Sequence, residues 1–173
     1  MTSKGIFILG LNGTGKTTLG RALAEQLGWF RMDVEDYYFP DMSVPFANSR
    51  TQDEVERLML EDIRANGNFV LSSVSANLCD EIRACCALAV WLRAPKSVRM
   101  SRIEQREAAR FGARVLPGGD MYEQQQWFHE YAGKRDESIV ARAIEALNCP
   151  ALTLNAERPI EDNLRQIIDA LPL

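Results

Sequence analysis

The 173-residue chain contains a single histidine, His129, and four cysteines, Cys79, Cys85, Cys86 and Cys149. One histidine excludes a histidine-rich zinc site. The cysteines have neither the paired spacing of a structural metal site nor the framework of a disulfide-stapled domain. Adjacent Cys85 and Cys86 precede an apolar run and read as buried thiols. Positive charge is also scarce: 20 Lys and Arg stand against 24 Asp and Glu, a net charge of −4. That balance lacks the basic footprint of a nucleic-acid-binding protein. No apolar run approaches the roughly 18 residues of a membrane-spanning helix. Met1 to Lys4 lead straight into an apolar strand and leave no room for a secretion signal. These absences together give the expectation of a cytoplasmic protein with no membrane and no nucleic-acid partner. There is no internal repeat and no linker, and the length suits one domain over 1–173 with a sizeable core.

What the sequence does contain is concentrated near its start. Gly10-Leu11-Asn12-Gly13-Thr14-Gly15-Lys16-Thr17 fits G-x-x-x-x-G-K-[ST] in full. The apolar run Ile6 to Leu9 precedes it and the helical pattern Thr18 to Leu27 follows. Strand, glycine-rich turn and helix are the context that a phosphate-binding P-loop requires. The glycines allow close main-chain approach, and successive N–H groups then form a nest for phosphate oxygens. The helix N-terminus adds unsatisfied donors and the positive end of its dipole. Lys16 supplies a mobile cation for the β- and γ-phosphates and Thr17 a hydroxyl for Mg²⁺. Residues Gly10, Leu11, Asn12, Gly13, Thr14, Gly15, Lys16, Thr17 and Thr18 are therefore expected to bind the nucleotide.

Downstream, apolar runs alternate with helical patterns. Trp29 to Asp33 reads as a second strand, with Asp33, Glu35 and Asp36 clustered at its C-terminal end, the edge where ligands sit in open α/β sheets. Tyr37 to Arg50 carries Pro40 and Pro45 without periodicity and reads as a loop, the start of a substrate flap spanning about 37–66. Thr51 to Glu54 opens a helix that Asn66-Gly67 ends. Phe69 to Leu71, running into Ser72-Ser73-Val74-Ser75, is a third strand. A short helix over Leu78 to Ala84 follows, and Ala87 to Leu92 is a fourth strand. Pro95 starts a helix to about Phe111, with Val98 and Ile103 inward and the arginines at 99, 102 and 110 on a solvated face. Gly112 to Asp120 reads as part of a lid over about 107–120. Helical sequence from Met121 to Leu147 is broken near Gly133. Ala151 to Leu154 is a last strand and Ile160 to Leu171 a closing helix. The expected fold is a three-layer α/β/α domain on a five-stranded parallel sheet.

The run from Gly10 to Gly28, together with Met32-Asp33-Val34-Glu35-Asp36, resembles the shikimate kinase family. That family stands in the nucleoside-monophosphate-kinase-like group alongside gluconate kinases. The resemblance implies that Asp33 orients or deprotonates an acceptor hydroxyl and helps Thr17 hold Mg²⁺, with Glu35 as its acidic partner. It further implies that Arg50 and Arg135 grip an acceptor carboxylate, a task that suits guanidinium forks. Arg106 and Arg114 would be the lid arginines that neutralise the transferring phosphoryl group. Ser72 and Ser73 stand where shikimate kinases place a glycine triplet against the acceptor, closer to the serine-containing turn of gluconate kinases, and are expected with Asp33, Glu35, Arg50 and Arg135 to bind the acceptor. No Asp follows the third strand in the usual Walker B position, which leaves the metal carboxylate to Asp33.

The expected activity is transfer of the ATP γ-phosphoryl group to a hydroxyl of a small metabolite, an anionic acceptor being one option. Lys16, Asp33 and Arg114 would be catalytic, ATP and Mg²⁺ the cofactors, and the protein a monomer or small homo-oligomer. The loop Asn155 to Pro159 would border the adenine. Two other readings stay open: a nucleoside monophosphate kinase, and a nucleotide-binding regulatory module with no acceptor. An oligomeric AAA-type motor is set aside, because the chain is too short for a second helical domain.

Overall fold

The computed structural model describes residues 3–40 and 49–171. Among them five strands form one sheet in the order β2-β3-β1-β4-β5, every neighbouring pair parallel. The strands are β1 (Gly5–Leu9), β2 (Phe30–Asp33), β3 (Phe69–Ser73), β4 (Cys86–Arg93) and β5 (Ala151–Asn155). The helices are α1 (Lys16–Leu27), α2 (Val34–Tyr38), α3 (Gln52–Asn66), α4 (Asp80–Arg83), α5 (Lys96–Phe111), α6 (Tyr122–Lys134), α7 (Ser138–Leu147) and α8 (Ile160–Asp169). This is the three-layer α/β/α fold expected from the sequence.

Two-residue alternation along the strands divides the core. Phe7 and Leu9 of β1, with Phe69 and Leu71 of β3, meet Val55, Met59 and Ile63 of α3 and Val140 and Leu147 of α7. Ile6, Ile8 and Val70 point the other way, with Val90 and Leu92, and meet Leu19 and Leu23 of α1 and Ile167 of α8. Both strand faces are apolar because helices cover both, as a parallel sheet demands. Each large side chain removed from water contributes about 1.5–3 kcal/mol, and the two layers together fix the sheet.

Register aligns the functional edge. Asp33 pairs with Ser72, Leu9 with both Ser73 and Trp91, and Arg93 with Asn155. The C-terminal ends of all five strands therefore finish on one rim, and the turn after β1 opens onto it.

Several element ends are local chemistry. Thr51 and Glu54 form a reciprocal capping box at α3, and Gly67, at φ 80°, ends that helix. Asn148 takes the left-handed conformation after α7. The break in the helical stretch after Met121 falls at Arg135 to Glu137, just beyond Gly133, which stays inside α6. Tyr37 and Tyr38, expected in a loop, close the short helix α2, which Asp33 caps by accepting from the Glu35 N–H at 3.2 Å. The part of the expected flap that carries Pro45 and Phe46 lies outside the described residues. Cys85 and Cys86 are half-buried, and the Cys86 Sγ lies 3.1 Å from that of Cys149.

Candidate active site

The turn from β1 to α1 is held from outside by arginines. Arg99 Nη1 donates to the Asn12 carbonyl at 3.1 Å, and Arg102 Nη1 donates to the Thr14 carbonyl at 3.1 Å. Arg102 Nη2 donates also to the Ala156 carbonyl at 2.9 Å, which ties the turn to the loop after β5. Arg135 Nη1 donates to Asn12 Oδ1 at 2.9 Å while its guanidinium covers the Tyr131 ring. Arg99 is only 4% exposed, so the sequence reading of a solvated arginine face fails for it. Ile103 is fully buried one turn further along α5, whereas Val98 is half-buried. The arginines look like surface residues in sequence because their partners are main-chain carbonyls more than fifty residues away.

These contacts occupy the Asn12 and Thr14 carbonyls of the loop. Gly13, at φ 84°, and Gly15, at φ 95°, adopt backbone that side-chain-bearing residues avoid. A Cβ on Gly13 would also stand 2.4 Å from the Arg99 carbonyl oxygen. Thr14 is buried, and its hydroxyl donates to the Leu11 carbonyl. Lys16 and Thr17 begin α1, where first-turn N–H groups have no helical partner. Lys16 Nζ donates to the Leu11 carbonyl at 3.1 Å, reaching back across the loop. Burial lowers its pKa to about 8 against the pull of Glu35 and Asp33, which favour the charge.

Thr17 Oγ1 donates to Asp33 Oδ2 at 2.7 Å, joining the P-loop helix to the end of β2. Burial pushes the Asp33 carboxyl above its ordinary value; the Thr17 bond and the Glu35 N–H oppose this, while the Glu35 and Asp36 charges add to it. The pair places a hydroxyl and a carboxylate oxygen side by side, a hard donor set that suits Mg²⁺ once phosphate oxygens complete it.

A cleft of about 930 Å³ runs along the rim. It is walled by Asn12 to Arg21 on one side and by Asp33 to Asp36 and Ser73 to Ser75 on another. Arg102, Arg106 and Arg110 of α5 and Met121, Gln124, Gln125 and Phe128 of α6 complete it, and the cleft reaches Ala156, Arg158 and Asn163 past β5. The loop expected to border the adenine thus lines the same cleft as Lys16.

The remaining expected residues are distributed as follows. Gly10 hydrogen-bonds to the Ser73 carbonyl, and Leu11, Asn12 and Thr14 are buried. Thr18 is exposed in the cleft, as is Glu35. Ser73 faces the cleft and its hydroxyl donates to the Ser75 carbonyl at 2.6 Å. Ser72 is turned beneath α1, donating to the Lys16 carbonyl at 3.3 Å. Arg50 donates to the Tyr37 carbonyl at 2.9 Å and lines a smaller cavity with Asp33, Asp36 and Asp62. Arg106 reaches the cleft but is paired with buried Glu107, its Nε donating at 2.9 Å. Arg114 lies in the 3-10 turn Gly112–Val115 and forms an exposed fork with Asp120. Sequence reasoning assigned Arg99 and Arg102 to a solvated face and did not single out Gln125 or Asn163. The one available signal was their helical spacing, which a solvated or core face produces equally well.

A family profile described as "AAA domain" matches residues 6–114. The chain is 31% identical to "Uncharacterized protein YqaC" of Bacillus subtilis (strain 168), over 97% of each chain. Its fold is similar to that of a shikimate kinase from Acinetobacter baumannii (TM-score 0.56, 18% identity, 97% of this chain and 92% of that one). It is similar also to a deoxyadenosine kinase from M. mycoides (TM-score 0.55, 14% identity, 95% and 97%). A gluconokinase from Sinorhizobium meliloti 1021 is a further match (TM-score 0.54, 17% identity, 96% and 90%). At these identities the likenesses show a shared fold.

Proposed function

The chain belongs to the AAA domain family, and from the site built on its P-loop we propose that it is an ATP-dependent phosphotransferase acting on a hydroxyl of a small metabolite. The observation that carries this reading is the Thr17–Asp33 contact of 2.7 Å beside Lys16. It sets a carboxylate at the phosphate end of a cleft that continues past the loop toward Ser73 to Ser75. A protein that only sensed ATP would need the phosphate nest but no second space with a proton acceptor at its mouth. The shikimate kinase, gluconokinase and deoxyadenosine kinase of the same fold act on small molecules, as their names state, and support the same class.

In this reading the loop N–H groups and Lys16 bind the triphosphate, and the acceptor lies against Asp33 and Ser73. Thr17 and Asp33, together with the phosphate oxygens, would hold Mg²⁺, which would supply charge neutralisation. The acceptor oxygen forms its bond to the γ-phosphorus as the bond to the β,γ-bridging oxygen breaks; that electron pair leaves with ADP. The hydroxyl proton passes to Asp33, the carboxylate that stands beside Thr17 in the cleft. Arg106 pairs with Glu107 in the cleft and Arg114 with Asp120 outside it; when the lid over about 107–120 closes, both arginines exchange those carboxylates for phosphoryl oxygens. The resemblance to shikimate kinases supports the roles of Asp33, Arg106 and Arg114.

The test is ADP release from Mg·ATP, screened against hydroxy acids, sugars, sugar acids, nucleosides and nucleoside monophosphates. Strong stimulation by one acceptor is expected. A flat, slow background with tight ATP binding would replace the kinase by a nucleotide-dependent regulatory module.

A further inference from the structure

Resting on the kinase reading, we infer that the acceptor is an uncharged molecule of the nucleoside class, whose base is read by the side-chain amide of Gln125. Three observations point there. First, of the two arginines expected to grip an acceptor carboxylate, Arg50 lies outside the cleft and Arg135 braces the phosphate loop. Arg135 is held between Asn12 Oδ1 and the Tyr131 ring, and Arg50 is bonded to the Tyr37 carbonyl. Moving Arg135 onto an acceptor would release Asn12 and with it one brace of the phosphate loop.

Second, the wall of the cleft beside Thr17 is lined by carboxylates, while Arg102, Arg106 and Arg110 stand on the α5 wall. Asp33 and Glu35 face the cleft, and Asp36 is paired with Arg31 at 2.9 Å. An added carboxylate or phosphate would sit within reach of Asp33 and Glu35, where like charges repel in a partly desolvated space. A neutral acceptor meets no such opposition, and its hydroxyls find acceptor oxygens on Asp33 and Ser73.

Third, Gln125 is 8% exposed, lines the cleft, and its Nε2 is buried without a hydrogen-bond partner. Leaving a buried donor unpaired is costly, so such a group in a cleft wall points to a ligand. The unpaired Nε2 and the oxygen of the same amide offer a donor and an acceptor on one group. That pair matches the edge of a nucleobase, as glutamine matches adenine bidentately. Met121, the N-cap of α6, lies one turn before Gln125 and Phe128 one turn after, so largely buried apolar side chains flank the amide on the same wall. A polyol has little use for such neighbours, whereas a base has an apolar face and a polar edge. The cleft, at about 930 Å³, is near the upper end for single-ligand sites and suits two substrates.

The experiment is phosphoryl transfer from Mg·ATP to matched pairs: nucleoside against its monophosphate, and glucose against gluconate, with shikimate as a further anion. Transfer to a nucleoside and at least a hundredfold lower kcat/KM for its monophosphate is the expected result. Gln125→Leu should then raise the nucleoside KM about tenfold or more with kcat within threefold, and change the order of preference among bases. Its thermal melt and ATP affinity should match those of the parent protein; Gln125→Asn, which keeps the amide, gives a second reading if the leucine variant does not fold. Preferential transfer to gluconate, shikimate or a monophosphate overturns the inference and leaves the kinase reading standing. So does transfer to glucose but to no nucleoside, or a nucleoside KM unmoved in Gln125→Leu. No transfer to any acceptor overturns the kinase reading and the inference with it.

Discussion

Lys16 is the residue whose chemistry changes most on going from a free to an occupied site. Its ammonium lies under the loop against the Leu11 carbonyl, and burial lowers its pKa to about 8. A triphosphate favours the charged form, so binding pulls a proton onto Lys16 whenever the free site has lost it. The sign follows: above pH 8 the free protein holds fewer protons than the complex, and affinity for ATP falls as pH rises. A loss approaching about tenfold per pH unit is expected above pH 8, with proton uptake seen by calorimetry in buffers of different ionisation enthalpy. Binding that is flat between pH 7 and 9.5 would detach Lys16 from the phosphates. Lys16→Ala should abolish turnover and keep the fold by circular dichroism; full activity would remove the P-loop assignment. Asp33→Asn keeps an oxygen toward Thr17 but lacks a base. It should retain ATP binding within several-fold and lower transfer by about 10²- to 10⁴-fold; an unchanged rate would reduce Asp33 to the cap of α2.

Among the elements, α5 does most to shape the loop, and it was the least legible in sequence. Arginine recurs along it at 99, 102, 106 and 110, a spacing that a solvated face and a binding face share. Only the position of β1 relative to α5 decides that Arg99 points inward, and that position depends on packing between distant segments. By contrast Thr51, Glu54 and Gly67 announced the ends of α3 correctly, because caps are settled within a few residues. The P-loop was legible for the same reason: its glycines answer a local backbone demand. Arg99→Met tests the arginine's part. The change keeps much of the side-chain volume and leaves the Asn12 carbonyl without its donor. A loss of about 1–3 kcal/mol in denaturant unfolding is expected, with weaker ATP binding although no ligand contact is removed. Parent-like stability and affinity together would show that Arg102 and Arg135 hold the loop without it.

For the whole molecule, the alternation of apolar strands and amphipathic helices was enough to fix the layers and the number of strands, since both sheet faces had to be covered. The order β2-β3-β1-β4-β5 was not readable that way, because any parallel arrangement buries the same side chains. That order matters to function. It puts Asp33, Ser73, the P-loop and Asn155 on one rim, so that a nucleotide in the cleft would touch segments that sequence holds more than a hundred residues apart. Ligand binding and global stability are therefore linked, because the unfolded chain has no such rim. At a hundred times its Kd, ATP should stabilise the native state by about 2.7 kcal/mol, a rise in Tm of about 5–10 °C for a chain of this size. Lys16→Ala should lose this shift and keep the parent Tm without ligand, which separates lost binding from lost folding. A shift that survives in Lys16→Ala would place the nucleotide elsewhere on the molecule, and the strand order would then have no bearing on where ATP binds.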